Sequence, residues 1–192
     1  MTNPRSRRSE LATPASNEHM CEAAARAGAD LVFLDLEDAC APSAKESARA
    51  TAVSALTGLD WGRTVRAVRV NGIDTPWCHD DVIDIVTGAR DAIDVIIVPK
   101  ARSARDVWWV DVLLTQLEAK LGIERPIAIE ALIEEAQGLV NVPRSLAQAR
   151  DWRLSSSGRV ICPLRCGPAS TATSSRRATI LATSGITPGC RC

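Results

Sequence analysis

Charged and amide side chains stand at the ends of apolar runs in this chain, and they are of the types that bind cations and oxyanions. The run LVFLDL (31–36) is followed at once by Glu37 and Asp38. VRAVRV (65–70) carries Arg69 near its end and is followed by Asn71. DVIIVPK (94–100) finishes on Lys100, and IAIEALIE (127–134) on Glu134, with Glu135 next. Carboxylates from separate segments can hold a hard cation such as Mg2+, with water and substrate oxygens completing an octahedron. A guanidinium can fork onto a carboxylate or a carbonyl. Each residue also has a plainer reading. Glu37 or Asp38 alone fits a helix cap or a surface ion pair. Arg69 alone fits a neutraliser of Glu37 across neighbouring strands, and Lys100 alone fits a structural role. Glu134 fits a first-turn acid favoured by the helix dipole. Their shared placement favours a common site.

The elements that would position these groups follow from periodicity. Short apolar runs of strand length recur at SELAT (9–13), 31–36, 65–70, 94–100 and 127–134. Between them lie helical patterns. Asn17 is placed as an N-cap and Gly28 as a stop, and Pro42 suits a helix start. Ser103 and Asp106 form a capping-box pattern ahead of a long helix that stops at Gly122. Strand and helix alternate roughly every 30 residues, the rhythm of a parallel sheet. Strands apolar throughout are expected when both faces are covered. Two architectures compete, a (β/α)8 barrel and an open doubly wound sheet, and in both the working groups gather at the C-terminal ends of strands. No glycine-rich phosphate loop of either common type is present, which weakens the nucleotide-binding versions.

The 192 residues carry no net charge, so nothing pulls the chain toward nucleic acid or an anionic membrane. No apolar run approaches the ~20 residues of a membrane span. The basic start is not followed by an apolar signal core, and a cytoplasmic protein is expected. His19 and His79 read as surface or capping residues. Trp108 and Trp109 are expected to pack against the sheet or a partner subunit. Cys21, Cys40 and Cys78 are well separated and fit a reducing compartment.

Beyond residue 151 the composition changes. All 23 acids and 17 of the 23 basic residues lie in residues 1–151, a net charge of −6, against six Arg and no acid, +6, in residues 152–192. Four of the seven Cys (Cys162, Cys166, Cys190, Cys192) fall in that tail, which has no His, and their spacing does not favour zinc.

The motifs RRSELATPASN (7–17), LVFLDLEDACAPSAKESAR (31–49), VRVNG (68–72), VIIVPKA (95–101) and ALIEEAQGLVNV (131–142) together resemble the HpcH/HpaI aldolase/citrate lyase beta-subunit family, in particular acyl-CoA lyases of the malyl-CoA and citramalyl-CoA type. The resemblance implies a (β/α)8 barrel that depends on Mg2+ and assembles as a homotrimer or hexamer. It implies Glu134 as one metal ligand and the Asp of a later GPGD segment as the second. It implies that Arg69 holds the keto-acid oxygen and the developing enolate, that Glu37 orients Arg69, and that Asp38 touches the metal's water shell. Arg8, Ser16 and Asn17, assigned to the first βα loop, are implied to face substrate or CoA. The implied reaction is a reversible retro-Claisen cleavage of a 3-hydroxyacyl-CoA to acetyl- or propionyl-CoA and a small 2-oxo acid. A metal-dependent aldolase acting on free 2-oxo acids is an alternative. So is a non-catalytic fragment that binds intact lyase subunits.

The chain departs from that pattern after about residue 150. No GPGD is present, and no sixth, seventh or eighth strand is expected. Residues 152–167 back-translate to codons that, regrouped one base earlier, read EALVFGPGDMSAALRA. The expectation is therefore five βα units of an incomplete barrel over residues 1–150. An aberrant, unfolded basic tail, translated out of frame, is expected over residues 151–192. The chain as written is expected to have little or no lyase activity, because half of the metal site is missing.

Overall fold

Five runs rich in β-branched and aliphatic residues form five parallel strands, and the helices between them cover one face of the resulting sheet. The computed structural model describes residues 8–141 and the backbone of residues 159–161. The order is β1 (Glu10–Pro14), α1 (Glu18–Ala25), β2 (Leu31–Asp35), α2 (Lys45–Gly58), β3 (Val65–Arg69), α3 (Cys78–Ala89), β4 (Val95–Val98), α4 (Ala104–Leu121) and β5 (Ala128–Leu132). Short 3-10 turns at Pro42–Ala44 and Arg90–Ala92 flank α2 and α3, and residues 136–141 are helical. A three-residue strand, β6 (Arg159–Ile161), pairs with β5, a correction to the expectation of no strand beyond the fifth.

Every strand lies beside its neighbour in sequence, in the order β1-β2-β3-β4-β5-β6, and every pairing is parallel. A doubly wound sheet reverses its strand order at a switch point. This sheet has none. The progression is that of a (β/α)8 barrel, of which the described residues supply five βα units.

Alternation along the strands separates two apolar layers. Val32, Leu34, Val68, Ile96, Val98, Ile129 and Ala131 face the helices and join the main core. Leu31, Val65, Ala67, Val95, Ile97 and Ala128 form a second cluster on the opposite, inner face, with Phe33 and Leu132 packed on it. This two-sided burial explains why the strands read as continuous apolar runs. Helices α2 and α3 come close together at Gly88, where a Cβ would stand 2.7 Å from Val53 Cγ1. Helix α4 starts as expected. Asp106 accepts from Ser103 N (3.0 Å), Ser103 Oγ (2.9 Å) and Arg102 N (2.7 Å), and Gly122 ends the helix at φ 68. Helix α1 ends at Ala25, earlier than the predicted stop, and Gly28 instead takes the left-handed turn that leads into β2. Trp109 packs on the core while Trp108 is exposed, and Cys21, Cys40 and Cys78 are buried free thiols. Burial pushes the Cys78 thiol up to about 12, so it is inert as a nucleophile. Among the described residues no helix is long and apolar enough to cross a membrane.

Candidate functional site at the strand ends

Arg69 is the last residue of β3, and the parallel register sets it directly beside Asp35, the last residue of β2. Both side chains rise from the inner face at the C-terminal rim. The guanidinium makes a two-pronged pair with Asp35, Nε to Oδ1 at 2.8 Å and Nη2 to Oδ2 at 2.6 Å. Glu37 Oε2 lies 3.3 Å from Nη1, and Asp38 Oδ2 lies 3.8 Å from Nη2. The Phe33 ring sits below, its centroid 5.6 Å from the guanidinium carbon. The resemblance implies that Glu37 orients Arg69. The shortest contacts to the guanidinium are those of Asp35, a residue the motifs do not single out. A signal for it existed: an acid inside an apolar run cannot be buried without a partner.

Burial pushes the Asp35 carboxyl upward. The Arg69 side chain and the backbone N–H groups of Glu37 (2.9 Å) and Ala39 (3.0 Å) outweigh it and hold the group below the ordinary carboxylate range. Burial lowers Arg69, but its three acids outweigh that and leave the guanidinium more firmly charged than usual.

The turn carrying Glu37 and Asp38 is pinned from beneath. Lys45, itself buried, donates to the carbonyls of Leu36 (2.8 Å) and Glu37 (3.0 Å) and lies over the Trp77 ring. This accounts physically for the Lys of the LDLEDA-x-x-P-x-x-K stretch. Glu37 is thereby buried, and its Oε2 has no hydrogen bond, whereas Asp38 is 67% exposed and reaches toward solvent.

Lys100 closes the group from β4. Its ammonium pairs with Glu37 Oε1 and lies 3.8 Å from Asp38 Oδ1, and the bond to Glu37 raises its pKa. Its backbone N–H donates to Glu134 Oε1 at 2.9 Å. Lys100 has φ 51, a conformation that costs a non-glycine residue about 1–2 kcal/mol. Lys100 alone fits a structural role, yet it touches acids from two separate loops, as its shared strand-end placement leads one to expect. Gly138, of the IE-x-x-x-G stretch, lets residues 136–141 approach this loop, since a Cβ there would meet Ala101 O at 2.4 Å.

The other expected residues are placed as follows. Asn71 does not face the rim. Its main-chain and side-chain nitrogens donate to the buried Asp81 at 2.9 and 2.6 Å, so it anchors β3 to α3. Glu135 is engaged by Arg102 Nε at 2.6 Å, which also holds Asp74 at 2.9 Å through Nη2. Ser16 and Asn17 follow β1 at the rim end, and Asn17 Oδ1 accepts from Met20 N at 3.1 Å as the α1 cap. Arg8 requires a correction. It precedes β1 rather than following it, and its Nε lies 3.4 Å from Asp30 at the opposite, N-terminal edge of the sheet. His19 lies in α1, and His79 in α3, paired with Asp80 at 3.0 Å, both exposed.

Four carboxylates (Asp35, Glu37, Asp38, Glu134) stand against two cations (Arg69, Lys100), a formal charge of −2. The donors are hard oxygens, and two of the carboxylates, Asp38 and Glu134, are exposed. Among the described residues no three acidic, His or Cys groups converge as a metal cage. Magnesium is commonly held by one or two carboxylates together with water and substrate oxygens, not by such a cage. The exposed oxygens of Glu134 and Asp38 are of the type that mode requires. The GPGD aspartate expected as the second ligand has no counterpart among the described residues.

Known proteins are similar to this chain in sequence and fold. The L-malyl-CoA/beta-methylmalyl-CoA lyase of Cereibacter sphaeroides is 40% identical over 154 residues, covering 80% of this chain and 48% of the relative. The structure of the Mycobacterium tuberculosis protein CitE in complex with magnesium and pyruvate matches at TM-score 0.58 and 27% identity, over 82% of this chain and 56% of that one. The lead(II) complex of Haloferax volcanii malate synthase matches at TM-score 0.72 and 19% identity, over 84% and 51%, a likeness of fold. The chain thus spans about half the length of the curated relatives it matches. The model of HpcH/HpaI aldolase/citrate lyase matches residues 8–151, and the chain belongs to that family.

Proposed function

We propose that the Arg69 rim is part of a Mg2+-dependent carbon–carbon lyase. Its substrate is a 3-hydroxyacyl-CoA of the malyl-CoA type, and its products are acetyl- or propionyl-CoA and a small 2-oxo acid. One observation carries the reading: a guanidinium at the strand ends, only 13% exposed, is aimed by three acids, and Lys100 joins one of them, Glu37, to the Glu134 carboxylate. The malyl-CoA class follows from the relative that is 40% identical.

Arg69 holds the oxo-acid end through the guanidinium face left open by Asp35, and it meets negative charge as it develops on oxygen. Asp35 and Glu37 keep the guanidinium from turning away. Asp38, exposed at the mouth, orders water or substrate hydroxyl. In the cleavage the hydroxyl loses its proton and becomes the oxo-acid carbonyl. The electron pair of the broken bond passes to the thioester enolate, which takes up a proton to give acetyl- or propionyl-CoA. Magnesium, when bound through Glu134, supplies Lewis-acid polarisation of the oxo-acid oxygens. The complete enzyme works as a homotrimer or hexamer in the cytoplasm.

The reading divides the chain into a partial barrel domain, residues 1–150, and a tail, residues 151–192, that is out of frame. Purified residues 1–192 are expected to cleave little or no malyl-CoA in the presence of Mg2+. A chain read one base earlier from about codon 150, which restores the GPGD aspartate, is expected to cleave it, and Arg69→Gln or EDTA is expected to abolish that activity. Cleavage by residues 1–192 alone would defeat the division. A folded, frame-restored chain that ignores CoA thioesters but cleaves free hydroxy acids would replace the lyase with the aldolase.

A further inference from the structure

Lys100 is the rim residue that touches both halves of the site. Its backbone N–H donates to Glu134 Oε1 at 2.9 Å, and its ammonium pairs with Glu37 and lies 3.8 Å from Asp38. Among the described residues only Arg90 and Lys100 are non-glycines at positive φ. A glycine would hold φ 51 without strain and would keep the main-chain bond to Glu134. What lysine adds is the ammonium. Strain held at a functional rim points to a task for the side chain that bears it.

The loop leaves Lys100 little freedom. Next to it, Arg102 is gripped by Glu135 at 2.6 Å and Asp74 at 2.9 Å, from two flanking loops. Asn141 Nδ2 donates to Arg102 O at 2.9 Å, and Gly138 packs on Ala101 O. The direction of the ammonium is therefore set by the fold as well as by its ion pair.

The geometry points to Lys100 as a positioning residue for this site. Its main chain holds Glu134 at the rim, and its ammonium offsets the Glu37–Asp38 pair so that one divalent cation and an anionic oxo acid can be held together. The inference rests on the lyase reading above. Without the ammonium the group carries −3 rather than −2, which favours the cation and disfavours the anion.

The test is titration with Mn2+ alone, followed by electron paramagnetic resonance, of the frame-restored chain that carries the GPGD aspartate, as wild type, Glu134→Gln, Lys100→Met, Lys100→Arg and Lys100→Gly. Glu134→Gln is expected to weaken Mn2+ by more than about tenfold. Lys100→Met is expected to bind Mn2+ roughly fivefold more tightly than wild type, and Lys100→Arg to return near wild type. A residue of merely structural importance would lose affinity on substitution, not gain it. If Lys100→Met fails to fold, Lys100→Gly decides, because it removes the same charge and relieves the backbone. Unchanged or weaker Mn2+ binding in a folded, ammonium-free variant, with Glu134→Gln still impaired, overturns the role of Lys100 alone. Equal binding, or none, by wild type and Glu134→Gln overturns the metal-site reading and this inference with it.

Discussion

The two ends of the sheet are built from the same residue types and are used differently. At the N-terminal edge Asp30 accepts from the backbone of Arg8 (2.7 Å) and Ser9 (3.3 Å), and Asp94 accepts from Arg66 N (2.9 Å) and Nε (3.2 Å) and pairs with Arg125. These acids tie down strand starts, and arginines match or outnumber them. At the C-terminal rim acids outnumber cations. Two carboxylates there, Asp38 and Glu134, are exposed. An edge whose polar groups are spent on its own backbone holds the fold together. A rim with carboxylate capacity left over can bind something else, and barrel enzymes keep their chemistry at that end.

Substitutions at the two ends should differ in what they cost. Arg69→Met leaves Asp35 buried without its cation and Glu37 with Lys100 alone, and is expected to cost about 3–5 kcal/mol in urea unfolding. Asp94→Asn, at the other edge, removes charge-assisted bonds and is expected to cost about 2 kcal/mol by the same measurement. Gly138→Ala must displace the Ala101 carbonyl, and a cost of about 1–3 kcal/mol is expected, with weaker Mn2+ binding because Glu134 shifts with it. Asp38→Asn is expected to change stability by less than about 0.5 kcal/mol while lowering Mn2+ affinity. If Asp38→Asn destabilises the chain more than Asp94→Asn, the division between a folding edge and a binding rim is wrong.

Acid should act on both ends together. Asp35 and Asp94 are both held below the ordinary carboxylate range, in each case against burial and by their arginines and backbone N–H groups. A carboxyl lowered in the folded state contributes stability above its unfolded value, and loses that contribution as pH falls through the folded one. Unfolding free energy is therefore expected to hold steady down to roughly pH 5 and to fall below about pH 4. Denaturant midpoints measured between these values check it. In Asp94→Asn the acid loss should be smaller than in wild type.

Much of the molecule was legible in residue order. The apolar runs became strands within a residue or two, and the Ser103–Asp106 box and Gly122 bounded α4 as their chemistry requires. Glu37, Asp38, Arg69, Lys100 and Glu134 were recognisable as strand-end groups before any coordinates, because a polar residue after an apolar run must leave the core. Asn71 satisfied the same rule and belongs elsewhere, since its partner Asp81 lies on a helix ten residues away. Arg8 was placed at the wrong end because a motif states which residues accompany one another and not which side of a strand each one falls on.

Residue order was enough for the strands, the bounds of α4, the set of charged residues available at the rim and the family to which the chain belongs. These depend on local periodicity, on capping chemistry and on motifs, all of which act over a few residues. Residue patterning left a barrel and a doubly wound sheet open, the family resemblance implied the barrel, and the strand order, with no switch point, agrees with it. Tertiary structure alone decided that Asp35 grips Arg69, and that Lys100 bends into a left-handed turn to touch Glu37 and Glu134. Asp35 and Arg69 are 34 residues apart and meet only through the register of neighbouring strands, and Lys100 and Glu37 are separated by 63. Which distant charges become partners is set by how buried strands pack, and that packing is a property of the whole chain.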